Sequence, residues 1–200
     1  ISSQTEQDTR HFSRFSKLPC FDPSSAQEAY EMIQEAFEYS EKYGTPVFLR
    51  PTTRVCHGYA SIMVKDETEY THHQPEGFIK DSKRWVIFPR LSFMNHKKIE
   101  ARNQELSDIF SSYEKNTIHP SCDAFKDSKK GIATGGISYT YTMETLKKTG
   151  MVKTLKIATP HPFPEKLAVD FLSGLDEVLC LEELDPVIER ELIYICGKYH

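Results

Sequence analysis

The stretch Arg50-Pro-Thr-Thr-Arg-Val-Cys-His57 places two arginines, a cysteine and a histidine directly after the short apolar run 46–49. If that run is a buried strand, Arg54 and His57 emerge at the carboxyl edge of a sheet, where a substrate would be met. The planar guanidinium of Arg54 suits the two oxygens of a carboxylate. Salt bridges between neighbouring domains explain the arginines equally well. Catalysis by a Cys56–His57 pair is disfavoured, because adjacent strand residues point to opposite faces.

A second candidate is the glycine turn Gly131-Ile-Ala-Thr-Gly-Gly136, which precedes a predicted helix. Backbone amides at Thr134, Gly135 and Gly136 could bind an anion or a coenzyme at the start of that helix. The turn lacks Gly-Lys-Ser/Thr and a complete G-x-G-x-x-G, so the phosphate motif is incomplete. A tight turn that lets strand and helix pack closely is the simpler interpretation.

The histidines and acidic runs point to no metal site. No two histidines lie four residues apart on a predicted helix, and His72-His73 is interpreted as a solvated pair in a polar segment. His161 stands between two prolines, in a rigid loop that could face the end of a strand. Glu182-Glu-Leu-Asp185 resembles a carboxylate cluster for acid/base work. Acidic residues at the start of a helix are the commoner explanation, because the helix dipole favours them there.

The elements that position these residues follow from apolar spacing and from caps. Ser25-Ala-Gln-Glu28 fits a capping box, the following residues repeat at helical spacing, and Gly44 ends the helix. A buried strand is predicted at 45–49. A helix that leads into a strand through a glycine turn is typical of an α/β protein with a parallel sheet.

Residues 58–122 are predicted to be a linker with an edge strand at 84–88 and a helix over 95–113. The buried side of that helix is expected to comprise Ile99, Leu106, Ile109 and Phe110. From residue 129 onward, glycine and proline signals predict three strand-helix units. Their strands lie at 131–134, 152–158 and 176–181, and their helices at 138–148, 165–172 and 185–196. The predicted fold class is α/β, a parallel sheet with helices on both faces, which binds ligands beyond the carboxyl ends of its strands.

Composition excludes several classes of protein. The 200 residues are 38% hydrophobic and carry a net charge of −4 from 25 basic and 29 acidic side chains, so no nucleic-acid footprint is present. The five cysteines have neither paired nor metal-finger spacing, which favours reduced thiols in the cytoplasm. No apolar run approaches about 18 residues and no signal peptide is evident, so no membrane association is expected. The chain begins at Ile1 in a polar stretch and is interpreted as an internal fragment.

Five strings carry a resemblance over nearly the whole chain: SSQTEQDTRHFSRF at 2–15, PSSAQEA at 23–29, TPVFLRPTTRVCH at 45–57, GIATGGISYTY at 131–141 and VLCLEELDPVIE at 178–189. Together they resemble the α subunit of the indolepyruvate:ferredoxin oxidoreductases, within the 2-oxoacid:ferredoxin oxidoreductase family. The resemblance implies oxidative decarboxylation of aryl pyruvates such as indolepyruvate to aryl-acetyl-coenzyme A, with reduction of ferredoxin. It implies thiamine diphosphate, magnesium and [4Fe-4S] clusters as cofactors. The implied partners are a β subunit, ferredoxin, coenzyme A and the aryl pyruvate.

The resemblance also implies a domain organisation. Residues 1–57 are similar to the end of a pyrimidine-binding domain, 58–122 to a linker region, and 123–200 to a transketolase C-terminal-like domain. Substrate-side candidates are Gln4, Glu6, Gln7, Arg54 and His57, and coenzyme candidates are Thr134, Gly135 and Gly136. The family's cofactor-activating glutamate, its Gly-Asp-Gly motif and its cluster cysteines match nothing in this sequence. The chain alone is therefore expected to be inactive and to bind none of these cofactors.

Two other functions fit the same elements. One is a different thiamine-dependent 2-oxoacid decarboxylase or transketolase-like enzyme, and the other is a stand-alone coenzyme-binding module that uses the Gly135-Gly136 turn. The segment 2–10 has no apolar anchor, so it is predicted to be poorly ordered or docked on a neighbour.

Overall fold

A computed structural model of the chain describes residues 7–70, 72 and 74–199. Its helices and strands alternate along most of the chain, apart from an irregular stretch between residues 58 and 81 that contains one 3-10 turn, Glu67–Glu69. In chain order they are α1 (Arg10–Ser16), β1 (Cys20–Phe21), α2 (Ala26–Tyr43), β2 (Phe48–Leu49), α3 (Thr53–His57), α4 (Ser82–Trp85), α5 (Pro89–Phe110), β3 (Thr117–His119), β4 (Lys130–Gly135), α6 (Gly136–Thr149), β5 (Lys153–Ile157), α7 (Glu165–Leu172), β6 (Glu177–Leu181) and α8 (Val187–Tyr199).

The larger sheet has four strands in the order β3-β5-β4-β6. Strand β4 pairs in parallel with both β5 and β6, which confirms the predicted parallel units. Strand β3, which lies outside the predicted unit 123–200, runs antiparallel beside β5, with Ile118 opposite Leu155. The three predicted strands are therefore all parallel, but the complete sheet is mixed and not parallel as predicted. The sequence around 117–119 is too short to show a strand by periodicity, and only its pairing with β5 identifies it. The fold is α/β with a mixed sheet.

Helices cover both faces of this sheet. Helices α7 and α8 contribute Phe171, Ile188 and Leu192 to a core with Ala133 and Leu155, whereas α6 lies against the opposite face. Close packing accounts for a glycine at the end of β4. A Cβ atom built at Gly135 would lie 2.6 Å from the carbonyl oxygen of Ile157 on the neighbouring strand.

A second core lies around the two-stranded parallel sheet of β1 and β2. The Phe21 ring contacts the Phe110 ring edge-on at a centroid distance of 5.6 Å, and Met32 and Leu106 are fully buried beside them. Ala158, directly after β5, closes the same core. Residues from all three predicted domain ranges therefore share one core, while the boundaries at 57/58 and 122/123 stay a prediction.

Several local predictions need correction. The apolar run 84–88 is not a strand: 82–85 form a helical turn, and the Trp85, Ile87 and Phe88 side chains are more than half exposed. The predicted helix over 95–113 begins at Pro89 and ends at Phe110. The strand at 45–49 is reduced to two residues and is only half-buried.

The capping box at the start of α2 is half formed. The Ser25 hydroxyl accepts the Glu28 amide at 3.2 Å, as predicted. The Glu28 carboxylate instead accepts the amide and the hydroxyl of Ser24, and it forms a buried ion pair with Lys156 of β5. The contact with Lys156 of β5 thus explains why the Glu28 side chain does not complete the predicted capping box.

Among the residues that the structure describes, no helix is both long and apolar enough to cross a bilayer.

Candidate functional site

A cluster of buried charges lies where the parallel strands β4, β5 and β6 end. Arg10, only 3% exposed, donates from Nε and Nη2 to both oxygens of Asp8 at 2.9 and 2.6 Å. Its Nη1 donates to Glu182 at 2.7 Å, directly after β6, and its Nη2 also donates to the carbonyl oxygens of Glu183 and Asp185. One guanidinium therefore joins two segments about 170 residues apart in sequence. We call Asp8, Arg10, Asp22, Arg50 and Glu182 the carboxyl-edge cluster.

Glu182 has a structural role at the start of α8. Its two carboxylate oxygens accept the free amides of Val187, Ile188 and Glu189 at 2.8–3.1 Å. Acceptors at these amides satisfy donors that the helix itself leaves unpaired. The helix-start explanation of the acidic run 182–185 is therefore the one that the geometry supports.

Asp22 lies at the centre of the cluster, 2% exposed, directly after β1. Its amide donates to the Ala158 carbonyl at 2.8 Å, which places it at the end of β5. Its carboxylate receives Arg50 Nη1 at 3.3 Å, and both its oxygens would lie 3.3 Å from a Cβ atom built at Gly136. A carboxylate of the chain itself thus occupies the space beside the glycine turn at the start of α6.

The pKa values of the two aspartates of the cluster are shifted in opposite directions. Burial raises the pKa of Asp22 to about 6, and the charges of Arg50 and Arg10 offset only part of that effect. Burial also opposes ionisation of Asp8, but the hydrogen bonds and charge of Arg10 outweigh it and lower the pKa of Asp8. Of the two aspartates, Asp22 can therefore exchange a proton near neutral pH, while Asp8 stays ionised.

Arg54 and His57 do not reach this cluster. Both lie on α3, a helix and not the predicted extension of a strand, and both side chains are exposed. Arg50, from the same stretch, is the residue that enters the cluster, with a side chain 10% exposed. Residues 53–57 are helical, so Cys56 and His57 do not lie on opposite faces of a strand as predicted. The Cys56 thiol is exposed and its Sγ lies 3.8 Å from the Pro51 carbonyl oxygen.

The remaining candidates fall into three groups. Gln4 and Glu6 lie outside the described residues, and Gln7 is exposed. Thr134 is fully buried, and its hydroxyl donates to the Leu181 carbonyl oxygen at 2.8 Å, between β4 and β6. Gly136 faces the Asp22 carboxylate, whereas Gly135 packs against the Ile157 carbonyl oxygen and the Ile188 side chain. The roles assigned to these residues stay predictions.

Among the described residues, a group of three side chains could in principle bind a metal ion, and the sequence analysis did not predict it. Asp8, His11 and Asp185 place one potential ligand atom each within 4.8 Å of one another. His11 Nε2 already pairs with Asp185 at 2.8 Å, and both oxygens of Asp8 accept from Arg10. The adjacent guanidinium opposes a cation at this place, so the group is better described as an ion-pair network.

The N-terminal segment is anchored by charge. Residues 2–6 of the predicted mobile segment lie outside the described residues, but Asp8 and Arg10 are buried against the chain's own residues 182–185, so for them the prediction is wrong. The segment has no apolar anchor, and buried charges hold it instead. An acidic and a basic residue two positions apart, Asp8 and Arg10, were the available signal.

The sequence of the chain is similar to those of known oxidoreductase subunits. No protein-family model matches the chain. It is 38% identical over 200 residues to the indolepyruvate oxidoreductase subunit IorA of Methanothermobacter thermautotrophicus, covering 99% of the chain and 31% of that relative. It is 38% identical over 196 residues to IorA of Pyrococcus abyssi, covering 96% and 30%. For IorA of Archaeoglobus fulgidus the values are 32% over 191 residues, covering 94% and 29%. The chain is therefore homologous, over nearly its whole length, to a segment that makes up about 30% of the indolepyruvate oxidoreductase subunit IorA.

Proposed function

We propose that this chain is part of the α subunit of an indolepyruvate:ferredoxin oxidoreductase, acting in the cytoplasm. The enzyme would oxidatively decarboxylate aryl pyruvates to aryl-acetyl-coenzyme A and pass electrons to ferredoxin, together with a β subunit. The observation that carries the proposal is the homology to proteins named as indolepyruvate oxidoreductase subunits across 94–99% of the chain. The chain spans only about a third of those relatives' length.

The predicted phosphate-binding turn does not fit the diphosphate of thiamine diphosphate. The glycine turn at the start of α6, at which the sequence predicts anion binding, faces the Asp22 carboxylate. A second anion there would be repelled, or would require Asp22 to be protonated. We therefore assign thiamine diphosphate, magnesium and the [4Fe-4S] clusters to other parts of a full-length subunit.

The proposed role of this chain is to position the substrate side of the active site. We assign residues 123–200 to a transketolase C-terminal-like domain, whose strands β4–β6 end at the carboxyl-edge cluster. Arg50 and Arg10 hold the ends of β2 and β6 together through Asp8, Asp22 and Glu182. This fixes the start of α3 relative to the sheet, so that the exposed Arg54 and His57 can face a substrate carboxylate from a constant direction.

The experiment uses the full-length polypeptide co-expressed with its β subunit. Purified enzyme is assayed with indolepyruvate, coenzyme A and oxidised ferredoxin, and each component is then omitted in turn. We expect ferredoxin reduction that requires both indolepyruvate and coenzyme A. Decarboxylation that proceeds without coenzyme A and ferredoxin would replace the proposal with a plain thiamine-dependent decarboxylase.

Arg54→Lys in the same enzyme tests the substrate-side role. Lysine keeps the charge but loses the planar fork, so we expect a lower rate per folded molecule and an unchanged melting temperature. If Arg54 only bridges domains, the variant would melt earlier and turn over at the wild-type rate. Steady-state kinetics beside a thermal melt separates these two outcomes.

A further inference from the structure

A cleft of about 980 Å³ lies away from the carboxyl-edge cluster, between the end of α2 and the helices α4 and α5. This volume is at the upper end of the range for small-molecule sites, roughly 300–1,000 Å³. Part of its wall is apolar and is formed by Leu18, which precedes β1, and by Leu91 and Ile99 of α5. The cleft is thus large enough for a ligand with an organic body as well as charged groups.

Its charge is strongly asymmetric. Two acidic residues line it, Asp81 and Glu105, against five basic ones: Lys42, Lys83, Arg84, Lys98 and Arg102. Within the described part of the chain, none of the five basic side chains forms an ion pair; Arg102 is half-buried and the other four are exposed. The wall therefore carries positive charge that the chain itself does not neutralise.

Two of these cations lie together on one helix. Lys98 and Arg102 are separated by one turn of α5 and both line the cleft. Like charges at this spacing destabilise a helix by a few tenths of a kcal/mol. An anion in the cleft would attract both side chains and so offset this repulsion.

Two donors in the wall lack acceptors. Arg102 donates from Nη2 to the Lys17 carbonyl oxygen at 3.1 Å, but its Nε is buried without a hydrogen-bond partner among the described residues. The Tyr43 hydroxyl is likewise buried and unpartnered there. Buried donors without acceptors are unfavourable, and a ligand oxygen that accepted from either would remove that cost.

From these features we infer that the cleft binds a small organic phosphate. A phosphoryl group presents several acceptor oxygens and a negative charge, which suits both the fork of Arg102 and the point charge of Lys98. Its organic part lies against Leu18, Leu91 and Ile99. The site is independent of the proposed oxidoreductase function and stands or falls on binding alone.

Isothermal titration calorimetry on the 200-residue chain tests this inference. The probes are adenosine diphosphate, inorganic pyrophosphate and, as an uncharged control, adenosine. We expect saturable binding of adenosine diphosphate, weaker binding of pyrophosphate, and none of adenosine. Arg102→Gln and Lys98→Gln should each weaken adenosine diphosphate binding about tenfold.

The matched control is Lys147→Gln, which removes an exposed lysine of α6 outside the cleft and should leave the affinity unchanged. Lys98 is exposed and makes no hydrogen bond among the described residues, so its variant decides the outcome even if Arg102→Gln unfolds. Absence of binding by folded wild-type chain overturns the inference. So do equal effects of Lys98→Gln and Lys147→Gln, or adenosine binding as tightly as its diphosphate.

Discussion

Replacing Asp22 with asparagine tests the electrostatics of the carboxyl-edge cluster. Burial raises the pKa of Asp22 to about 6 from an ordinary value of 3.8. The folded protein therefore binds a proton at Asp22 more readily than the unfolded chain does. Stability from this group is fully present below about pH 4 and is lost as the pH rises through 6. Asparagine is uncharged at every pH and removes the dependence.

The magnitude follows from those two pKa values. Between pH 7.5 and pH 4.5 the wild type gains about 2 kcal/mol of unfolding free energy from Asp22, and Asp22→Asn gains none from this position. Urea unfolding of both proteins at several pH values, followed by circular dichroism, gives the difference directly. Contributions of the other titrating groups largely cancel in that difference.

Asp176→Asn serves as the control, because it removes a carboxylate whose side chain is 68% exposed. As the pH falls, the unfolding free energy of the wild type should rise relative to that of Asp22→Asn. This rise should be larger than the corresponding rise of the wild type relative to Asp176→Asn. A shift of the opposite sign would mean that Arg50 dominates and lowers the pKa of Asp22. In that case the reasoning from burial is refuted.

The other predictions concern stability and are all measured by urea unfolding. Arg10→Gln should lower the unfolding free energy by about 3–5 kcal/mol, because it removes the cation that two buried carboxylates share. Its control is Arg14→Gln, which should lower the unfolding free energy by less than about 1 kcal/mol because that side chain is 57% exposed. Glu28→Gln and Lys156→Met should each be strongly destabilising, and the double variant should cost less than their sum by about 1–3 kcal/mol; strict additivity would show that the pair does not interact. Burial, with nearby positive charges, lowers the pKa of His161 to about 4, so its contribution is present above about pH 6.5 and is lost as the pH falls toward 4. Wild type should therefore lose about 2 kcal/mol relative to His161→Gln between pH 7 and 4.5, and a pH-independent difference would contradict this.

Local signals in the sequence were sufficient for the second half of the chain. The strands β4, β5 and β6 and the helices α6, α7 and α8 all lie close to their predicted positions, because glycine stops, proline starts and apolar spacing act over a few residues. The parallel pairing of β4 with β5 followed from the helix that connects them. The resemblance to the indolepyruvate oxidoreductases also rested on the sequence alone.

Tertiary contacts decided the rest. The run Trp85–Phe88 has strand-forming residues but no neighbouring strand to pair with, so its propensity had no effect. The Glu28 carboxylate pairs with Lys156 and accepts the amide of Ser24 instead of that of Ser25. Asp8 and Arg10 became buried only because residues 182–185 meet them. An ion pair between residues some 170 positions apart leaves no periodic trace in either segment. The α/β fold of the second half was therefore determined by the sequence, whereas the buried charges of the candidate site were determined by where the folded chain brought them.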